Sequence, residues 1–426
     1  MIAFLLIHAL GALVLAVVDR RAPFDALRTP ASFFVGLALL FAASLGLPGV
    51  AIVSSIALGV WLSPRRLEAA APLSLAPFIF IAGLTVWVLV RPWVPLYWDE
   101  FVWLAKARLG SLAFDGVVTA SLDSTQGVIP AGYVPLWPSA VGWLSLGDDE
   151  LGQHVFSSTL LVLACAGVAI EAWWDTLAKA KGWAIVVLIS APLGLVHLKS
   201  IYVDLPVGLL GLALLGRLLD ARAGLGSIAI AVCLAGFKDE GVTQVLAATL
   251  AAVLASRRED VPFTPWWRRI GPLVAAVAVV LTWRTLLNTK GVTVSDHALN
   301  SPAWGWLSTF AKLLVLHASD VFSWGVTWAV VLAVVARRMT DRHSRALRWL
   351  LVGNFLLLTA ALLSGPERVR VFAENGTLLN RLLLQSWPAA VALILTAING
   401  SPPHGVAPGG FATPQPATTT LTDRAA

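Results

Sequence analysis

Apolar runs about as long as a lipid bilayer is thick recur along most of this chain, and few architectures tolerate that. They fall at roughly 2–18, 31–47, 49–62, 73–91, 150–170, 183–199, 203–219, 225–237, 241–256, 268–287, 320–337, 348–364 and 382–398. A helix that crosses the hydrocarbon core needs about 20 apolar residues. In lipid every backbone amide must be satisfied internally, which leaves helices or closed barrels. These runs are continuous rather than alternating, so they read as helices. Composition agrees. Of 426 residues, 58% are hydrophobic and 13% charged, against about 45–50% and about 25% in soluble domains. The expected fold is an all-α polytopic membrane bundle of about 11–13 transmembrane helices. The shorter runs suit tilted or re-entrant segments, and no internal repeat stands out.

The formal charge is +6, with 30 Lys and Arg against 24 Asp and Glu. No basic stretch is long enough to follow a nucleic acid, so nucleic acid is not an expected partner; membrane lipids are. Basic residues flank the apolar runs instead. With the amino terminus outside and the helices alternating, most of the 30 Lys and Arg fall on the cytoplasmic side, as the positive-inside rule requires. The acids lean the other way and include Asp99, Glu100, Asp204, Asp239 and Glu240. This orientation depends on Lys238-Asp239-Glu240 dividing two helices. One continuous helix there would put the basic stretch 337–348 outside. Cys165 and Cys233 sit inside apolar runs and offer no metal-ligand spacing or disulfide framework. The run 2–18 lacks a basic leader and a small-residue cleavage site, so a retained helix is expected.

Chemistry-bearing residues gather on the outer side. Asp99 and Glu100 follow the fourth run inside an aromatic stretch, Pro92-Trp93-Val94-Pro95-Leu96-Tyr97-Trp98. A carboxylate desolvated there can act as a general base or accept a hard cation. It can equally cap a helix start. Residues 98–108 have the pattern of an amphipathic interfacial helix anchored by Trp. Later in the same loop, Gly132-Tyr133-Val134-Pro135-Leu136-Trp137-Pro138 reads as a stiff groove-lining connector or as a helix start. His197-Leu198-Lys199-Ser200-Ile201-Tyr202-Val203-Asp204-Leu205-Pro206 sets Asp204 at a helix mouth, where it is a ligand-pocket residue or an N-cap. Lys238-Asp239-Glu240 lies between strongly apolar runs, where charges pair or face a cavity. Arg381, just before the last run, suits a phosphate because its guanidinium donates two parallel hydrogen bonds, or it simply snorkels. The chain has no P-loop, G-x-G-x-x-G, H-E-x-x-H or zinc-spaced Cys/His set.

In this order the segments resemble the GT-C superfamily of integral-membrane glycosyltransferases, most of all the bacterial branch related to protein mannosyltransferases and aminoarabinose transferases. The residues that carry the likeness are Tyr97-Trp98-Asp99-Glu100, Tyr133-Val134-Pro135-Leu136-Trp137-Pro138, Tyr202-Val203-Asp204-Leu205-Pro206, Lys238-Asp239-Glu240-Gly241 and Asn380-Arg381-Leu382-Leu383-Leu384-Gln385. The likeness covers roughly 73–398, with 92–149 as the large outer loop. The chain departs from the pattern in its extra amino-terminal helices, 1–72, and in having a polar tail, 399–426, expected to be disordered, where a soluble domain is usual.

The resemblance implies a multi-pass inner (plasma) membrane enzyme whose active site faces the outside or periplasm. It implies transfer of a sugar, with inversion, from a polyprenyl-phosphate donor to a hydroxyl of a glycan, lipid or protein acceptor. Asp99 would be the base that deprotonates the acceptor hydroxyl, or a residue that positions it, and Glu100 would support it. Lys238, Arg381 and Lys199 would hold the donor phosphate, with Arg368 and Arg370 as further cations. Tyr133, Tyr202, Asp204, Asp239 and Glu240 would line the substrate pocket. No cofactor or obligatory metal is implied, although the Asp-Glu pair can take a divalent cation. The competing expectation is a transporter or flippase of a lipid-linked or small anionic solute, since intramembrane charge is typical there as well. A third is a non-catalytic subunit of a cell-envelope assembly.

Overall fold

The computed structural model describes residues 1–19, 23–62, 98–123, 132–145, 150–173, 193, 197, 200–219, 224–256, 269–292, 300–324, 327–337, 339, 341–374 and 377–399. Among them every regular element is a helix. In chain order these are α1 (Ile2–Val18), α2 (Pro23–Arg28), α3 (Ala31–Ser44), α4 (Gly49–Leu62), α5 (Trp98–Leu112), α6 (Gly116–Leu122), α7 (Leu136–Ser145), α8 (Leu151–Trp173) and α9 (Asp204–Leu219). They continue with α10 (Leu225–Phe237), α11 (Glu240–Ser256), α12 (Gly271–Thr289), α13 (Leu307–Ala318), α14 (Val321–Trp324), α15 (Thr327–Ala336), α16 (Arg342–Ser364), α17 (Glu367–Glu374) and α18 (Thr377–Asn399).

Four of these helices are long and apolar enough to cross a membrane: Gly152–Trp173, Gly271–Thr289, Arg342–Ser364 and Leu378–Ala397. Six more, including α1, α3, α4, α10, α11 and α15, are apolar but shorter, at 10–17 residues. This is a membrane protein, and the physical reason the expected crossings separate into two classes is length. At 13 residues, α10 rises about 20 Å, short of an about 30 Å hydrocarbon core. The runs at 73–91 and 183–199, apart from Leu193 and His197, lie outside the described residues, as does the tail after Asn399.

The centre of the bundle is α9. It packs on α8, α10, α11 and α18, and all 16 of its residues are buried. All 13 residues of α10 are buried too. Helices apolar all round belong inside a larger assembly of helices as readily as in lipid, and tertiary packing takes these two inside. The chain reverses at residues 238–239, as expected from the charges. Lys238 is extended, with φ −163° and ψ 150°, and a new helix begins at Glu240. Gly241 is required there, because a Cβ would collide with the backbone carbonyl of Leu234.

Antiparallel chain direction fixes what lies at each end. The starts of α9 and α11 share one end with the finish of α10. At the other end, arginines terminate the helices: Arg342 donates to the carbonyl of Leu219 at 2.6 Å, Arg345 to that of Ala255 at 3.3 Å and Arg269 to that of Ala252 at 2.9 Å. Arginine on the carbonyl end of a helix meets the negative end of its dipole. Arg217 pairs with Glu171 at 3.3 Å nearby.

Several boundaries differ from the sequence expectation. Within the segment 320–337, Val321–Trp324 and Thr327–Ala336 are helical. The loop expected at 288–319 contains α13. The last two long helices begin earlier than their apolar runs. Asp341 caps α16 by accepting from the Ser344 amide at 2.8 Å, so the helix starts in a polar stretch. Arg381, expected just outside the last helix, is its fifth residue.

Candidate active site

Asp204 opens α9 with its carboxylate fully buried. It does not serve mainly as a cap. Its Oδ1 accepts from Lys238 Nζ at 2.8 Å and from Gln385 Nε2 at 2.8 Å, and its Oδ2 accepts from Arg381 Nε at 2.9 Å. Lys238, 2% exposed, also meets Glu240 Oε1 at 3.1 Å. Arg381 lies 4.2 Å above the ring of Tyr202, a cation–π contact strengthened by burial. Arg381 and Gln385 therefore reach this carboxylate from more than 170 positions away. Their approach depends on Gly208, one turn into α9, because a Cβ there would meet the backbone carbonyl of Gln385.

The hub is stapled from behind by Trp137. Its indole donates to the carbonyl of Ile201 at 2.7 Å, and its ring meets that of Phe237 at 4.9 Å. Ile201 immediately precedes Tyr202, and Phe237 immediately precedes Lys238. The aromatic-proline segment thus orients two other segments rather than lining an open groove. Next to it, Tyr133 lies within electrostatic reach of Glu240, Asp239, Arg381 and Asp204. Burial, then the two acids, holds its phenol well above the usual range, so it stays a neutral hydroxyl. Its ring is 5.8 Å from that of Trp103. This contact connects α5, the helix of Asp99 and Glu100, to the hub.

The helix expected over 98–108 forms as α5 and extends to Leu112. Trp103 does not anchor it to lipid: the side chain is buried against Tyr133. Asp99 is helical, within Trp98–Leu112 of α5, and its side chain lies outside what is described. Glu100 is fully buried. Sequence reasoning missed Lys106, also buried, 5.5 Å over the Trp103 ring. Burial lowers its ammonium from 10.5 to about 7. The unfolded chain therefore binds a proton that the folded one lacks between pH 7 and 10.5, and the stability contributed by this site rises with pH through that window. Relative to Lys106→Met, the melting temperature of the parent should climb between pH 7 and 10.5, by roughly 2–4 °C for each kcal/mol gained. A difference that stays constant across that window would contradict this.

Sequence reasoning also missed Arg284, whose Nη2 meets Asp239 Oδ2 at 2.9 Å. A lone charge inside the apolar run 268–287 was the available signal. Asp239 thus belongs to a separate pair beside the hub. Arg370 sits in α17 and donates to the carbonyl of Gly365 at 3.0 Å; no contact joins it to Asp204. Lys199 and the side chain of Arg368 lie outside the described residues. On the far side of Arg381, Trp324 donates to Asn380 Oδ1 at 3.4 Å and its ring lies 5.4 Å from that of Trp387. Trp328 extends this aromatic wall. Among the described residues no three His, Cys, Asp or Glu converge as a metal-binding group.

Comparison with known proteins finds no family model that matches the chain, no similar protein of curated function and no similar solved structure.

Proposed function

We propose that the chain is an integral-membrane glycosyltransferase with a GT-C-like bundle, moving a sugar from a polyprenyl phosphate to an acceptor hydroxyl on the extracytoplasmic side. The single observation behind this reading is that Lys238 and Arg381 meet on Asp204 beside Tyr202, Glu240 and Gln385. Three of the five segments on which the resemblance rests supply those residues, and a fourth, through Tyr133 and Trp137, packs against them.

The chemistry follows from the groups present. The acceptor oxygen attacks the anomeric carbon, the bond from that carbon to the phosphate oxygen breaks, and the configuration inverts. The proton leaves the acceptor for Asp99, supported by Glu100, and the electron pair leaves with the polyprenyl phosphate. Negative charge that builds on the departing phosphate is stabilised by prearranged cations. Lys238 has three donors, two of them used by Asp204 and Glu240. Asp204 is a positioning residue in this scheme: it holds the ammonium and the guanidinium side by side at fixed angles.

The test is purified protein in nanodiscs with radiolabelled polyprenyl-phosphate sugars and a membrane extract as acceptor. Acceptor-dependent, inverting sugar release is expected, with at least a tenfold loss in Lys238→Met. The transporter reading is favoured by the mutual neutralisation of Asp204, Glu240, Lys238 and Arg381. Passage of a lipid-linked solute across proteoliposomes with no bond cleaved would establish it in place of the enzyme.

A further inference from the structure

Around Asp204 several buried polar atoms have no hydrogen-bond partner. They are both ring nitrogens of His197, Oε1 of Gln385 and Oε2 of Glu240. His197 and Gln385 are each 1% exposed. The His197 ring is 5.6 Å from that of Tyr202, which lies under Arg381. Gln385 holds Asp204 through its other atom, and Glu240 holds Lys238 through its other oxygen. Gln385 and Glu240 therefore touch the ion-paired centre directly, and His197 reaches it through the ring of Tyr202. Burying such atoms without partners is costly, and a bound ligand, ion or ordered water is what normally satisfies them.

We propose that His197, Gln385 and Glu240 are the wall that holds the donor's sugar and that this wall selects an uncharged, hydroxyl-rich sugar over one bearing a carboxylate. The inference rests on the glycosyltransferase reading and names its substrate class. A neutral imidazole offers one donor and one acceptor; the amide and carboxylate oxygens offer acceptors only. Hydroxyls, which both donate and accept, can satisfy the whole set. A sugar carboxylate can only accept, and it would face the oxygens of Glu240 and Gln385. Lys238 and Arg381 offer it little relief, because Asp204 and Glu240 already hold them and in this reading their remaining donors go to the donor phosphate.

The experiment compares three lipids with the full chain in nanodiscs: a polyprenyl monophosphate, the same lipid bearing glucose and the same lipid bearing glucuronate. The glucosyl form should bind about tenfold tighter than the sugar-free lipid, and the glucuronyl form at least about tenfold weaker than the glucosyl. His197→Phe fills the ring volume and removes two unpartnered nitrogens. It should melt no lower than the parent while losing the increment that glucose adds. Glu240→Gln, which keeps the side-chain shape, should narrow the gap between glucosyl and glucuronyl lipids and decides the matter if His197→Phe does not fold. Glucose that adds nothing, or increments and gaps that survive both substitutions, would overturn the sugar wall and leave the enzyme reading standing. Failure of all three lipids to bind would remove both.

Discussion

Asp204→Ala should lower the stability of the protein by about 3–5 kcal/mol, the usual cost of breaking a buried ion pair by removing one partner. Two cations depend on this carboxylate: Lys238 at 2% exposure and Arg381 at 13%. Without Asp204 both are left desolvated, and Lys238 keeps only Glu240. The loss also frees Gln385 and unties α9 from α18 at their closest approach. Thermal melting in detergent measures it. Adding Lys238→Met to Asp204→Ala should recover part of the loss, because it removes one stranded charge. A single variant that melts within a degree of the parent would mean that the carboxylate neutralises nothing essential.

The second large effect concerns turnover rather than folding. Asp99→Asn should lower sugar transfer by about 10²–10⁴-fold, the span that a general base contributes, while donor affinity changes little. This substitution separates two roles that the sequence leaves entangled. Asparagine favours helix starts about as well as aspartate, and losing one first-turn charge costs only about 0.3–1 kcal/mol. If Asp99 serves only to begin α5, the variant will melt and turn over almost normally. If it takes the acceptor's proton, turnover collapses and the melting curve hardly moves. Transfer that survives undiminished would remove the catalytic assignment.

Much of the helical framework was legible because length and continuity of apolar runs are local properties. The break at Lys238-Asp239-Glu240 was legible for the same reason, since three charges between two greasy segments have nowhere to go but a helix end. The early starts of α16 and α18 were not, because Arg342–Arg348 and Thr377–Arg381 are polar and only the cap at Asp341 and packing against neighbours hold them helical. The site was legible in its parts. Asp204, Lys238, Glu240 and Arg381 all stood out as charged residues at the ends of apolar runs. His197 and Gln385 lay in quoted segments, but nothing in the sequence separated them from their neighbours. Arg284 and Lys106 were overlooked, one inside an apolar run and one on what looked like the wet face of an interfacial helix.

The amino-acid order by itself determined that the chain must be helical, that it belongs in a membrane and that its buried charges would have to find partners. It could not determine which partners. Lys238 has two acids beside it in the chain; the fold keeps Glu240 on it, gives Asp239 to Arg284 and adds the distant Asp204. Successive side chains at a reversal point different ways, and a desolvated charge is neutralised wherever another helix comes close enough. That distance is set by the glycine at 208 and the packing around Trp137, which are properties of the assembled bundle.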